Sequence, residues 1–142
     1  MGLEAINFFF CSDESIKETL SKNKGIEHIE GKKYVYRKSE EFWIDLEIQN
    51  ESCISIRITL CNPEDNVLKA LDSLLCFLFQ SNGSVLSNLN TKELFKEYNN
   101  EVKRKIMDSY FNRQKVFQEM YGSFTAAINS EEFYRIQREK RN

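Results

Sequence analysis

Residues 42–61 alternate between apolar and polar side chains, and this pattern constrains the fold more than any other feature of the chain. Apolar residues occupy every second position in 42–48 and again in 54–60. A period of two is that of a half-buried β-strand. Asn50, Glu51 and Ser52, which separate the two runs, favour a turn. The sequence therefore predicts an antiparallel hairpin with one apolar and one polar face.

The length of the turn fixes the register of this hairpin. Only an odd number of loop residues places apolar positions opposite one another, with Ile48 facing Ile54. The same register places Asp45 opposite Arg57 on the other face. The side chains expected on that polar face are Trp43, Asp45, Glu47, Ser55 and Arg57.

Helical patterns follow the hairpin. Asn62 before a proline and two acids is typical of a helix start, and an apolar stripe then predicts a helix over 63–82. A capping pattern at Asn90 predicts a second long helix over 92–121. Short helices are expected near both ends of the chain, and residues 138–142 are expected to fray.

Short apolar segments elsewhere predict further strands. Residues 5–11 are typical of a buried strand, 26–30 and 34–38 of a hairpin, and 84–89 of one more short strand. Together these elements predict a single α+β domain over 1–142. We expect an antiparallel sheet of four to six strands packed by the two main helices.

Composition and charge narrow the classes of function. With 20 basic and 22 acidic residues the formal net charge is −2, which gives no support to nucleic-acid binding. No apolar run reaches the ~18 residues that span a membrane. The first residues carry an acid and no basic segment, so a secretory signal is not expected. The expected location is the cytoplasm, with neither nucleic acid nor membrane as a partner.

The cysteines and the single histidine limit the possible chemistry. No CxxC spacing occurs, so neither a metal nor another cofactor is expected. Nothing in the sequence places His28 beside a cysteine nucleophile, and nucleotide and hydrolase motifs are absent. The chain is therefore not expected to be an enzyme. Without a predicted export signal, the four cysteines are expected to be reduced and packed as small apolar side chains, namely Cys11, Cys53, Cys61 and Cys76.

Trp43 is the most informative residue for function. By parity it lies on the polar face of the hairpin. Either helices cover this face and Trp43 belongs to the core, or the face is open and Trp43 is an aromatic anchor of the kind that dominates protein interfaces. In the second case a rim of acids suits a basic protein partner, formed by Glu40, Glu41, Asp45, Glu47 and Glu51. The predicted partner-binding residues are Trp43, Asp45, Glu47, Glu41 and Arg57.

An alternative site lies between the sheet and the long helix. Tyr98, Tyr110 and Phe117 are candidates to line a pocket there. Such a pocket would indicate a domain that binds a small molecule or a regulatory ligand.

The order of elements carries a resemblance to a known group of proteins. A strand with Phe42-Trp43-Ile44-Asp45 precedes the helix that starts at Pro63, then Gly83-Ser84-Val85-Leu86, then a long helix ending in Phe117-Gln118-Glu119-Met120-Tyr121-Gly122. Over roughly residues 40–130 this order resembles the small α+β immunity proteins of bacterial polymorphic-toxin systems. The resemblance implies a cytoplasmic protein that binds a cognate toxin domain and blocks it without chemistry of its own. It transfers no binding residue.

Overall fold

The computed structural model describes residues 5–121, 127 and 130–141. In these residues it is an α+β structure with one seven-stranded antiparallel sheet and four helices. The strands are β1 (Ala5–Cys11), β2 (Ile26–Glu30), β3 (Lys33–Lys38), β4 (Phe42–Asn50), β5 (Cys53–Thr59), β6 (Val85–Asn88) and β7 (Glu93–Phe95). The helices are α1 (Ile16–Ser21), α2 (Glu64–Leu78), α3 (Asn100–Tyr121) and α4 (Ser130–Arg141).

The strands are ordered β2-β3-β4-β5-β1-β6-β7 in the sheet. The predicted α+β class with an antiparallel sheet is confirmed, but the sheet has seven strands rather than four to six. The seventh, β7, lies inside the segment predicted as the start of the long helix. Phe95 pairs with Leu86 of β6 and is buried. The pairing of three residues and the burial of Phe95 therefore outweigh the capping pattern, and α3 begins only at Asn100.

The central hairpin has the predicted register. Ile48 lies opposite Ile54, and Asp45 lies opposite Arg57. Asn50 pairs with Cys53, and the register shifts between Ile48 and Asn50. This bulge takes up the extra residue, so the apolar positions of both strands stay on one side.

One side of the sheet, the packed face, forms the core with α1, α2 and α3. The β4 and β5 side chains Ile44, Ile54, Ile56 and Ile58 are fully buried there. The α2 stripe of Val67, Leu71, Leu74, Leu75 and Leu78 is fully buried in the same cluster. The long helix is fixed to the end of β5 by polar contacts as well, since the Tyr110 hydroxyl donates to the Thr59 carbonyl at 3.0 Å.

Asn62 has a different role from the helix cap that the sequence predicts. Pro63 occupies the cap position of α2 and makes no side-chain cap bond. The buried Asn62 amide instead accepts from the Trp43 backbone N–H at 2.7 Å and donates to the Trp43 carbonyl at 3.2 Å and the Thr59 carbonyl at 2.8 Å. Asn62 therefore joins the start of β4 to the end of β5 and holds the backbone of Trp43.

The helix α4 stays helical through Arg141, although fraying is expected from residue 138. Arg135 bridges Glu132 and Glu139, one turn away on either side. Such pairs stabilise an exposed helix at i, i+3 and i, i+4 spacing. Asn142 lies outside the described residues.

Candidate functional site

The second side of the sheet, which we name the Trp43 face, lies opposite the layer formed by α1, α2 and α3. Beyond the row that carries Arg37 and Trp43, the strand register places two further rows of side chains across the middle of this face. One row contains Val35, Asp45, Arg57 and Asn7, and the next contains Lys33, Glu47, Ser55, Phe9, Ser87 and Leu94. An antiparallel sheet commonly buries one face and leaves the other in contact with water, so this face is the candidate site.

Trp43 is half-buried and held from several sides. Its indole Nε1–H donates to Asp45 Oδ1 at 2.7 Å. The Arg37 guanidinium lies over the ring, 4.8 Å from its centroid, and also contacts Glu27 at 3.2 Å. The ring is therefore fixed by a hydrogen bond at its edge and a cation–π contact on one face. Trp43 is neither the fully covered core residue nor the freely exposed anchor of the two alternatives.

The end of the Trp43 face that carries Trp43 is covered. Ala5 and Thr59, which pair at this end of β1 and β5, are fully buried. The backbone N–H of Ala127 donates to the Glu40 carbonyl at 3.1 Å. The charge of Glu131, in the first turn of α4, acts on Asp45. Chain following α3 therefore returns to this corner.

An aromatic cluster attaches α4 to the rest of the structure. Phe133 is buried, with its ring centroid 5.2 Å from that of Phe117 and 5.2 Å from that of Tyr121. Since Phe117 and Tyr121 belong to the last turns of α3, the cluster fixes α4 beside the end of that helix.

Apart from the buried Val35 and Cys53, the remainder of the Trp43 face is open. Glu47 is exposed, and Phe9 and Ser55 are half-buried. Two large apolar side chains add to this part of the face, since Leu89 is 47% exposed and Leu94 is 57% exposed. Trp43 therefore lies where the covered end meets the open part.

Asp45 is a carboxyl on this face with a shifted pKa. Desolvation by burial raises its pKa, and the negative charge of Glu131 raises it further. The Trp43 hydrogen bond and the charges of Arg57 and Lys33 act in the opposite direction without cancelling the rise. Burial therefore destabilises the ionised form of Asp45, and the Trp43 hydrogen bond and the neighbouring bases only partly offset this cost.

The predicted acidic rim is wrong. On the Trp43 face the acids Glu27, Asp45 and Glu47 are matched by the bases Lys33, Arg37 and Arg57, which lie on the same or neighbouring strands. Lys33 lies directly opposite Glu47, and Arg57 directly opposite Asp45. The charges on this face alternate in sign rather than forming one negative patch.

The remaining acids of that predicted rim lie at opposite ends of β4, with Glu40 and Glu41 at one end and Glu51 at the other. Glu41, in the turn before β4, pairs with Lys38 at 3.1 Å. Glu51 follows the other end of β4, about 30 Å away at the rise of an extended strand. Glu41 is therefore part of a turn at the covered end and is not brought together with Glu47.

The three aromatic residues of the alternative pocket are not brought together. Tyr110 is completely buried, and the Tyr98 hydroxyl donates to Asp72 Oδ1 at 2.6 Å. Tyr98 lines a groove of about 670 Å³ with Phe79, whereas Phe117 lines a separate groove of about 340 Å³ along α3.

Two of the four cysteines are bonded to each other. Cys11 and Cys53 form a disulfide between β1 and β5, so the prediction of four reduced cysteines is wrong for this pair. Cys61 and Cys76 lie outside this bond.

His28 Nε2 contacts the Gly31 carbonyl at 2.8 Å within the β2–β3 hairpin. Within the described residues, no group of three or more His, Cys, Asp or Glu could hold a metal ion.

Arg37 is the residue of this site that sequence reasoning missed. Its place on the same face as Val35 and beside Trp43 depends on the pairing of β3 with β4. The alternation of 34–38 gives the parity of Arg37, but not its partner strand.

Comparison with models of known families, with curated proteins and with solved structures finds no match. No helix in the described ranges is both long enough and apolar enough to cross a bilayer.

Proposed function

We propose that this chain is a non-catalytic binding protein of the immunity type, which docks a cognate toxin domain on its Trp43 face and occludes it. The observation that carries the proposal is the fixed ring of Trp43 between Asp45 and Arg37, at the margin of an open sheet surface. Interface hot spots are enriched in tryptophan and arginine. A ring that is already held in place loses little conformational entropy on binding.

The dimensions of the face support a protein partner. The nine residues of β4 extend over about 30 Å, and the five strand spacings from β3 to β7 add up to about 24 Å. Their product, about 700 Å² for the whole face including its covered end, sets an upper limit close to the ~800 Å² that each partner buries in an interface of standard size. A small ligand would use a concave pocket instead.

The charge pattern supports a partner with a matching arrangement of charges rather than any basic protein. Arg37, Glu47 and Arg57 alternate in sign across the face. Alternating charges select the partner whose own charges match each position, because like charges in contact are costly. The toxin domain is therefore expected to present both acids and bases around an apolar centre that meets Phe9, Trp43 and Leu94.

Binding to the toxin domain encoded beside this chain in its source genome tests the proposal. Trp43→Ala is expected to weaken the affinity by about 30-fold or more, since a hot spot contributes ~2 kcal/mol or more. Glu47→Lys should weaken it as well, because Glu47 is exposed on the same face. Titration calorimetry with each purified variant measures the effect.

Glu119→Lys is the matched control, since it makes the same charge reversal at an exposed position of α3. Circular dichroism verifies that each variant is folded. If both Trp43 face variants fold and bind as tightly as the control, the toxin does not dock on this face and the proposal fails.

A further inference from the structure

The disulfide between Cys11 and Cys53 joins two strands that are distant in sequence. The register of β1 and β5 places these residues directly opposite one another, with their Cα atoms 4.2 Å apart. The bond spans 42 residues of sequence, which include α1, β2, β3 and β4. It therefore ties the part of the sheet that carries Trp43 to β1.

We propose that Cys11 and Cys53 form a reversible redox site, which opens and closes by exchange with low-molecular-weight thiols and disulfides of the glutathione class. The proposal is independent of the toxin-binding function. It depends on three features of the structure, which are the access to the bond, the fold that remains without it, and the inertness of the other two cysteines.

Access follows from the face on which the bond lies. The alternation of β1 and β5 places both sulfur atoms on the Trp43 face, in line with Phe9 and Ser55 and away from the helical layer. Cys11 is half-buried, as is its β6 neighbour Val85, whereas Cys53 is buried with 9% of its surface exposed. A small thiol therefore reaches the Cys11 sulfur without opening the core.

The fold does not depend on the bond. The apolar core lies on the opposite face, where Phe8, Phe10, Ile54 and Ile56 are fully buried. The β1–β5 ladder pairs residues along the whole of β1, from Ala5 to Cys11. The turns beside the bond have their own hydrogen bonds, from Ser12 N–H to the Ser52 carbonyl at 3.1 Å and from Ile16 N–H to the Glu51 carbonyl at 2.8 Å. Reduction therefore removes a cross-link and leaves the core and the ladder in place.

The other two cysteines are poorly suited to exchange. Cys61 is fully buried. Cys76 is exposed, but partial desolvation and then the charge and hydrogen bond of the neighbouring Asp72 carboxylate raise the pKa of its thiol. Since the thiolate is the attacking species, a raised pKa slows the exchange. Exchange is thus directed to the Cys11–Cys53 pair.

The exchange balances as two substitutions at sulfur. In oxidation, the Cys11 thiolate attacks one sulfur of glutathione disulfide, so that a mixed disulfide forms and one glutathione thiolate leaves. The Cys53 thiolate then attacks the Cys11 sulfur, the protein disulfide forms, and the second glutathione thiolate leaves. The two protons of the protein thiols end on two glutathione molecules. Reduction is the reverse, with two thiols giving one small disulfide.

Mass spectrometry of the full chain tests the site. After equilibration with glutathione disulfide and alkylation, we expect two alkyl groups, with residues 11 and 53 in one cross-linked peptide. After dithiothreitol we expect four alkyl groups. Alkylation of Cys11 and Cys53 after oxidation, or a mixed disulfide that persists there, would overturn the proposal.

Thermal unfolding completes the test. Closing a loop of this length by a disulfide should raise the melting temperature by about 10 °C over the reduced chain. The double variant Cys11→Ser, Cys53→Ser should melt at the temperature of the reduced chain, and dithiothreitol should not change that temperature. In Cys76→Ser, dithiothreitol should lower the melting temperature as it does in the wild type. A reduced chain that lacks the circular dichroism of the folded state, or one that melts at the same temperature as the oxidised chain, would show that the pair is not a switch.

Discussion

The packed face and the Trp43 face are built from the same strands, yet they differ in what they contact. In β5, Ile56 is fully buried beneath the helices, while its neighbours Ser55 and Arg57 are half-buried on the other side. The packed face excludes water through apolar contacts, and the Trp43 face is organised by hydrogen bonds and alternating charges. Because the side-chain period is two, one strand serves stability on one side and recognition on the other.

The largest expected difference between the faces is in the free energy of unfolding. Ile56→Ala leaves a cavity in the core and should cost about 2–5 kcal/mol. Ser55→Ala, one residue away on the Trp43 face, should change stability by no more than about 0.5 kcal/mol. Urea unfolding of the two variants measures the contrast. Equal losses would mean that the Trp43 face is as tightly packed as the core.

A smaller loss of stability is expected for a substitution at Asn62, which joins the start of β4 to the end of β5. Asn62→Ala removes the acceptor of the Trp43 N–H and the donor to the Thr59 carbonyl, and should cost about 2 kcal/mol, since buried polar groups lose their partners. Trp43 is the single tryptophan of the chain, so its emission reports on this site directly. We expect a shift of the emission to longer wavelength in Asn62→Ala. The exposed Asn112→Ala should change neither quantity, and unchanged emission in Asn62→Ala would show that Asn62 does not position Trp43.

The smallest expected change in the free energy of unfolding concerns the carboxyls of Asp72 and Asp45, one on each side of the sheet. Asp72 belongs to α2, in the helical layer, and its pKa is set by opposing causes. Desolvation raises it, but hydrogen bonds from Tyr98 and Lys103 and the Lys103 charge together lower it. A lowered pKa stabilises the fold above the unfolded value of about 3.9, and this contribution is lost as the pH falls through the folded pKa. Asp72→Asn should therefore destabilise the protein by about 1 kcal/mol at pH 7, with the difference closing in acid.

Asp45 should behave in the opposite way, because burial raises its pKa. Its stabilising contribution is present below the unfolded pKa and is lost as the pH rises through the folded pKa. Asp45→Asn keeps an oxygen acceptor for the indole, and should be at least as stable as the wild type at pH 7 and lose that advantage as the pH falls. Chemical unfolding of both variants between pH 3 and 7 measures the two slopes. Slopes of the same sign would contradict the distinction between the two carboxyls.

The sequence predicts what depends on local periodicity. The alternation of 42–61 gives the strands, their faces and the pairing of Ile48 with Ile54, because the turn joins adjacent strands. It does not give the partners of strands that are distant in sequence. The disulfide between Cys11 and Cys53 was missed for this reason, since it requires the pairing of β1 with β5.

The same limit explains the wrong prediction of an acidic rim. Glu47 lies opposite Lys33, a base on the preceding strand β3, and the relative register of β3 and β4 has no clear signal in the sequence. The strand β7 was missed because three residues are too few for a period of two to be recognised.

The outer strand β2 limits how far the sheet can grow. It lies at the edge of the sheet, and its register shifts between His28 and Glu30. A bulge and charged residues such as Glu27 and Glu30 disrupt the row of backbone groups that another strand would need for pairing. Copies of the chain at high concentration are thus discouraged from joining edge to edge on this side of the sheet.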